Sequence, residues 1–174
     1  MKLRLSRIAL AALSLSMLCG LSALAQGDPR GATDPRRSSA QTIEHGRYMV
    51  LLCHCNNCHT AGYAPAEGKV PEAQWLLGNP VGWRSRMGTT YAVNLRLYRQ
   101  TLSEEGWLQA AHTIRSRPPM PWWSLRDMRD DDLKAVYYYI RSLAPVGQPA
   151  PAFLPPDQTP QPPYDQLPDM SLGR

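Results

Sequence analysis

Five consecutive residues, Cys55-Asn56-Asn57-Cys58-His59, combine two thiols and an imidazole in the pattern Cys-x-x-Cys-His. Thiols three positions apart on one helical turn can each add to one of the two vinyl groups of a haem. The adjacent histidine then reaches the iron from the same turn. Two other chemistries draw on the same side chains. A zinc site could recruit Cys53, Cys55, Cys58 and a histidine, but no second cysteine pair follows downstream. A dithiol redox centre could use Cys55 and Cys58, but no strand–helix–strand pattern surrounds them. A haem iron also takes a second axial ligand from a distant segment, and Met120 is the first candidate. It lies in Arg117-Pro118-Pro119-Met120-Pro121, where prolines on both sides stiffen the loop and leave little entropy to lose. Its thioether is soft and neutral, which favours ferrous iron and raises the reduction potential. Met128, Met87 and His112 are the competitors for that position, and filling a core gap is the bland alternative for Met120.

The compartment decides how the cysteines are read. Lys2, Arg4 and Arg7 precede an apolar run from Ile8 to Leu21, and Ala23-Leu24-Ala25 is a small-x-small cleavage site. Residues 1–25 therefore read as a signal peptide, with a periplasmic destination for the remainder. An uncleaved membrane anchor is the alternative, because the apolar run approaches the roughly 20 residues that span a bilayer. Cys19 follows the bulky Leu18 and so does not make a lipidation site. Cleavage leaves Cys53, Cys55 and Cys58, an odd and tightly clustered set that is no disulfide framework. The formal charge of +5 falls to about +2 without Lys2, Arg4 and Arg7, too small to imply a nucleic-acid partner.

The 174 residues, 43% hydrophobic, suit one domain with a modest core. Residues 26–40 are polar with Gly and Pro and read as a flexible leader. A helix is expected from Ile43 to Cys53, with Thr42 as its N-cap, and it runs directly into the Cys-x-x-Cys-His turn. Residues 60–100 are rich in turn residues and short of periodic runs, so an apolar ligand surface would help to order them. Ser103 caps a second expected helix bearing Trp107, Leu108, Ala111 and Ile114, with Arg115 and Arg117 at its far end and Pro118-Pro119 as its stop. A third starts near Asp130 and carries Leu133, Val136, Tyr137 and Ile140 on one face. Residues 145–174 contain nine prolines and no periodicity, so 146–174 read as an extended tail. No strand is expected.

Gly46-Arg47-Tyr48-Met49-Val50 ahead of Cys55-Asn56-Asn57-Cys58-His59-Thr60 resembles the first helix and haem motif of class I bacterial cytochromes c. The later run RPPMPWWSLRDMRDDDLKAVYYYIRSL resembles the ligand loop and last helix of that family. The resemblance covers residues 41–145 and is greatest to the single-haem proteins and haem domains associated with periplasmic dehydrogenases. It implies an all-α fold of three to five helices around one covalent haem c, held by Cys55, Cys58, His59 and Met120. The first and last helices would cross, with Gly46 allowing close approach and Tyr137–Tyr139 packing on it. His59 would donate its second ring N–H to the carbonyl of Pro71, or otherwise Pro65. Trp83, Arg84 and Tyr91 are candidate partners for the haem propionates, and Trp122 and Trp123 candidate shields of the iron. The chain departs from the family at Cys53-His54, where small or acidic residues are usual, and at Asn94-Leu95-Arg96-Leu97-Tyr98. With both axial positions filled, the expected work is one-electron transfer between a donor dehydrogenase and an acceptor cytochrome or oxidase, not catalysis. A cytochrome subunit of a periplasmic oxidoreductase complex is the second reading, and a five-coordinate, peroxidase-like haem protein the third.

Overall fold

The computed structural model describes residues 39–168. The expected signal peptide and most of the expected leader lie outside the described residues, as do the last six residues of the tail.

Helix α1 (Ser39–Leu52) begins earlier than its apolar pattern suggests, so Thr42 lies inside it. A short helix, α2 (Cys55–His59), follows at once. Between them His54 adopts the left-handed conformation, φ 55°, which breaks the ladder and lets the second helix start on a new axis. Helix α3 (Leu95–Gln100) has Asn94 as its N-cap, whose side chain accepts from the backbone N–H groups of Arg96 and Leu97 at 3.0 and 3.1 Å. Helix α4 (Glu104–Thr113) is capped by Ser103, as expected, but it stops at Thr113. Arg115 and Arg117 leave it to stack on the rings of Trp122 and Phe153. Helices α5 (Trp122–Asp127) and α6 (Asp130–Ser142) complete the α-structure. Three aspartates in the first turn and Arg141 in the last suit the dipole of α6, and Leu133, Val136, Tyr137 and Ile140 are buried.

The core is the crossing of α1 on α6, with Val50, Leu133, Tyr139 and Ile140 almost wholly inaccessible. Gly46 sits at the crossing point. A Cβ built there would lie 1.9 Å from the carbonyl oxygen of Ala135 and 2.7 Å from the Cβ of Tyr139, so only glycine permits this approach. Tyr139 closes the contact from the other side by donating its hydroxyl to Glu72 at 2.7 Å.

The expectation of an all-α chain needs correction: the fold is mainly α with a small sheet. Strand β1 (Gly82–Ser85) pairs antiparallel with β2 (Gly88–Thr90) and parallel with β3 (Tyr164–Gln166), giving the order β2-β1-β3. The strands are too short to show alternation, and β3 comes from the proline-rich tail. That tail returns over the hairpin, with Leu154 exchanging two backbone hydrogen bonds with Thr89 (2.8 and 3.0 Å) and Pro160 buried. No helix among the described residues is long and apolar enough to cross a membrane.

Candidate functional site

A cavity of about 510 Å³ opens between α1, α2, α4, α6 and the β1–β2 hairpin, within the size range of clefts that take cofactors. Cys55, Cys58 and His59 line it from one side. Met120 and Met128 line it as well, together with Trp107, Val136 and Ile140 of α4 and α6. The sequence motif and the methionine loop, far apart in the chain, thus meet at one apolar space.

Helix α2 is fixed from behind. Thr60 donates its hydroxyl to Asn56 Oδ1 at 2.7 Å and accepts the backbone N–H of Leu76 at 2.7 Å, and both side chains are buried. Gly78 donates its N–H to the carbonyl of His59 at 2.8 Å. A side chain at Gly78 would meet Asn94 N at 2.9 Å and Ala92 O at 3.0 Å, so glycine lets the 92–94 segment lie against α2. That approach brings the carbonyl oxygen of Val93 to 2.8 Å from His59 Nδ1. The carbonyl accepts, so Nδ1 carries the proton and Nε2 keeps its lone pair.

This corrects the expected partner of His59, which is Val93 rather than Pro71 or Pro65. The Pro71 carbonyl is already taken by the N–H of Gln74 at 2.8 Å. Burial pushes the His59 imidazolium below its ordinary pKa, with the Val93 carbonyl acting in the opposite direction. A neutral ring with one nitrogen fixed is the form that ligates a metal.

The thiols have different surroundings from those of a reactive dithiol. Burial first, then the neighbouring Cys53, pushes Cys55 up to about 12, and burial also raises Cys58. Nucleophilic cysteines show the reverse, a lowered pKa in an electropositive setting. Cys53 lines the same cavity, and its thiol is raised by burial and by the charge of Asp132. Among the described residues no group of three or more His, Cys, Asp or Glu side chains is arranged to hold a metal ion.

The competitors of Met120 separate. Met87 is 44% exposed and outside the lining. His112 is engaged at both nitrogens, with the Arg126 carbonyl and the Asp130 carboxylate each at 2.8 Å. Met128 lines the cavity but also packs against the hydrophobic core, whereas Met120 lines it without belonging to that core. Trp83 and Tyr91 are in the lining, but Arg84 is not; its guanidinium donates to the Gln158 carbonyl of the tail at 3.1 Å. The expected shields are also displaced. The guanidinium groups of Arg115 and Arg126 lie 4.4 and 5.5 Å from the Trp122 ring centroid, Trp123 is 51% exposed, and neither tryptophan lines the cavity. Trp107 occupies that space, donating its indole N–H to the Leu133 carbonyl at 2.9 Å. Arg96 escaped sequence reasoning altogether. It is buried and donates to the carbonyls of Glu72, Ala73, Trp75 and Ala144, joining the segment behind α2 to the end of α6. The sequence carries no signal for it, because residues 60–100 hold no periodic run against which a buried arginine would stand out.

No family model and no solved structure matches the chain. Two curated proteins are similar to it. A nicotinate dehydrogenase subunit of Pseudomonas putida is 28% identical over 131 residues, which is 66% of this chain and 10% of that protein. The fructose dehydrogenase cytochrome subunit of Gluconobacter japonicus is 28% identical over 133 residues, 68% of this chain and 25% of that protein. The chain thus spans about a tenth and a quarter of the length of these relatives, both of them subunits of dehydrogenases and one a cytochrome subunit.

Proposed function

We propose that this chain is a class I c-type cytochrome, an exported one-electron carrier with a single haem c held by Cys55, Cys58, His59 and Met120. The observation that carries the reading is the meeting of all four side chains at one apolar cavity, with His59 already fixed through Nδ1. When bound, the haem supplies reversible one-electron exchange at iron, and a thioether ligand favours its ferrous form. The chain's own residues do the rest. Cys55 and Cys58, both in the cavity lining, would tether the group, and Val93 orients the His59 ring. Trp107, Val136 and Ile140 keep water from the metal position, and Trp83 and Tyr91 are the candidate donors for propionates. With His59 and Met120 both as ligands the iron would offer no open position, which suits outer-sphere electron transfer.

A second reading, favoured by both relatives, makes the chain the electron-transfer subunit of a periplasmic dehydrogenase complex that hands electrons to an acceptor cytochrome or oxidase. Export to the periplasm with haem-maturation machinery tests the first reading. Expected are covalently retained haem and a low-spin ferric spectrum, with attachment lost in C55A/C58A. A colourless, correctly exported product sinks the proposal. Carbon monoxide binding to the ferrous protein without displacing Met120 supports the five-coordinate alternative. Co-purification with a larger catalytic dehydrogenase chain supports the second reading.

A further inference from the structure

The proline-rich tail does more than extend from the domain. Phe153 and Leu154 lie where it crosses the β1–β2 hairpin. Leu154 is bonded in both directions to Thr89, the neighbour of cavity-lining Thr90. Gly88, at φ 108°, lets this crossing come close: a Cβ there would meet Leu154 O at 2.3 Å and the Phe153 ring at 2.6 Å. The ring of Phe153 in turn carries the Arg117 guanidinium 3.7 Å from its centroid. Arg117 opens the methionine loop, and its carbonyl accepts the Met120 N–H at 3.2 Å. A continuous path of contacts therefore runs from the hairpin wall of the cavity, through the tail, to the backbone of Met120.

We propose that Phe153, seated on the hairpin by Leu154 and stacked under Arg117, is a positioning residue for Met120 as the axial ligand. The proposal rests on the reading of Met120 as that ligand. Tail and loop are separate in sequence, and each is stiffened by prolines. The cation–π contact joins the two across the gap, so the loop presents Met120 from a fixed platform. A loop freed from the tail opens more often and gives up its iron position more readily to an external ligand.

The test uses the full-length ferric holoprotein and two readouts, the methionine-to-iron charge-transfer band and titration with imidazole. A cation–π contact at a partly exposed site corresponds to an effect of about two- to five-fold. F153A and R117A are expected to bind imidazole about two- to five-fold more tightly than the wild type. F153L, which keeps bulk without an aromatic face, follows F153A, while F153Y returns to wild-type affinity. The Soret band of all four stays at its wild-type position before imidazole is added. M120A separates the two ideas. If M120A keeps the charge-transfer band, the ligand assignment falls and the clamp falls with it. If M120A loses the band while F153A titrates like the wild type, the clamp alone is overturned.

Discussion

Three thiols stand within six positions at one cavity, and they are not equivalently placed. Cys55 and Cys58 lie on α2 at the spacing that the haem reading requires, while Cys53 precedes the left-handed His54 and so lies off that helix. Burial raises its thiol as it raises those of Cys55 and Cys58, so its place off α2, and not its acidity, sets it apart. C53S is therefore expected to retain covalent haem and an unchanged visible spectrum; reduced haem content in that variant would show that Cys53 takes part in attachment. The residues that meet at the cavity could be picked out in sequence because their patterns are local: Cys-x-x-Cys-His and the proline-flanked Met120 each stand within five positions. The partner of His59 could not. Val93 lies 34 positions away, and its carbonyl reaches the ring only because Gly78 tolerates the approach and Asn94 starts α3 immediately beyond.

Helix α6 could be read from three aspartates and an apolar face, whereas the sheet could not. A parallel partner for β1 drawn from a tail with eight prolines has no pattern of its own. The contact between α1 and α6 was readable at one residue, Gly46, and it makes a sharp prediction. A methyl group placed 1.9 Å from a backbone oxygen must push the helices apart. G46A should destabilise the holoprotein by at least the roughly 1–3 kcal/mol usual for overpacking, measured as a lower denaturant midpoint at constant slope. An unchanged midpoint would show that the crossing yields freely. The ends of three helices meet at His112, whose pKa is raised by the Asp130 carboxylate first and by the Arg126 carbonyl second. Raised in the folded state, it contributes stability that is fully present below the unfolded histidine value of about 6.5 and is lost as pH rises through the folded value. The advantage of wild type over H112Q in thermal midpoint should therefore shrink as the pH is raised through that window; a pH-independent difference would rule out titration of His112 as its source.

The molecule as a whole is organised around the space that the thiols, His59 and the two methionines share. Its walls are supplied by α1, α4, α6 and the hairpin, so one occupant touches nearly every element. With the space empty, the apolar side chains that line it lose the packing partner they would otherwise have. Of the buried core, Val50, Trp107, Ala111, Val136 and Ile140 line the cavity, while Trp75, Leu76, Leu133, Tyr137 and Tyr139 do not. Secondary structure has local support from Asn94, Ser103 and the α6 aspartates, and does not depend on the occupant in the same way. The haem-free C55A/C58A chain is accordingly expected to keep most of its far-ultraviolet helix signal. It should lose its near-ultraviolet signal and sharp thermal transition, and bind a hydrophobic dye. A cooperative melt close to that of the holoprotein would mean that the α1–α6 crossing is sufficient by itself, and that the cavity is carved from a fold already complete without what it holds.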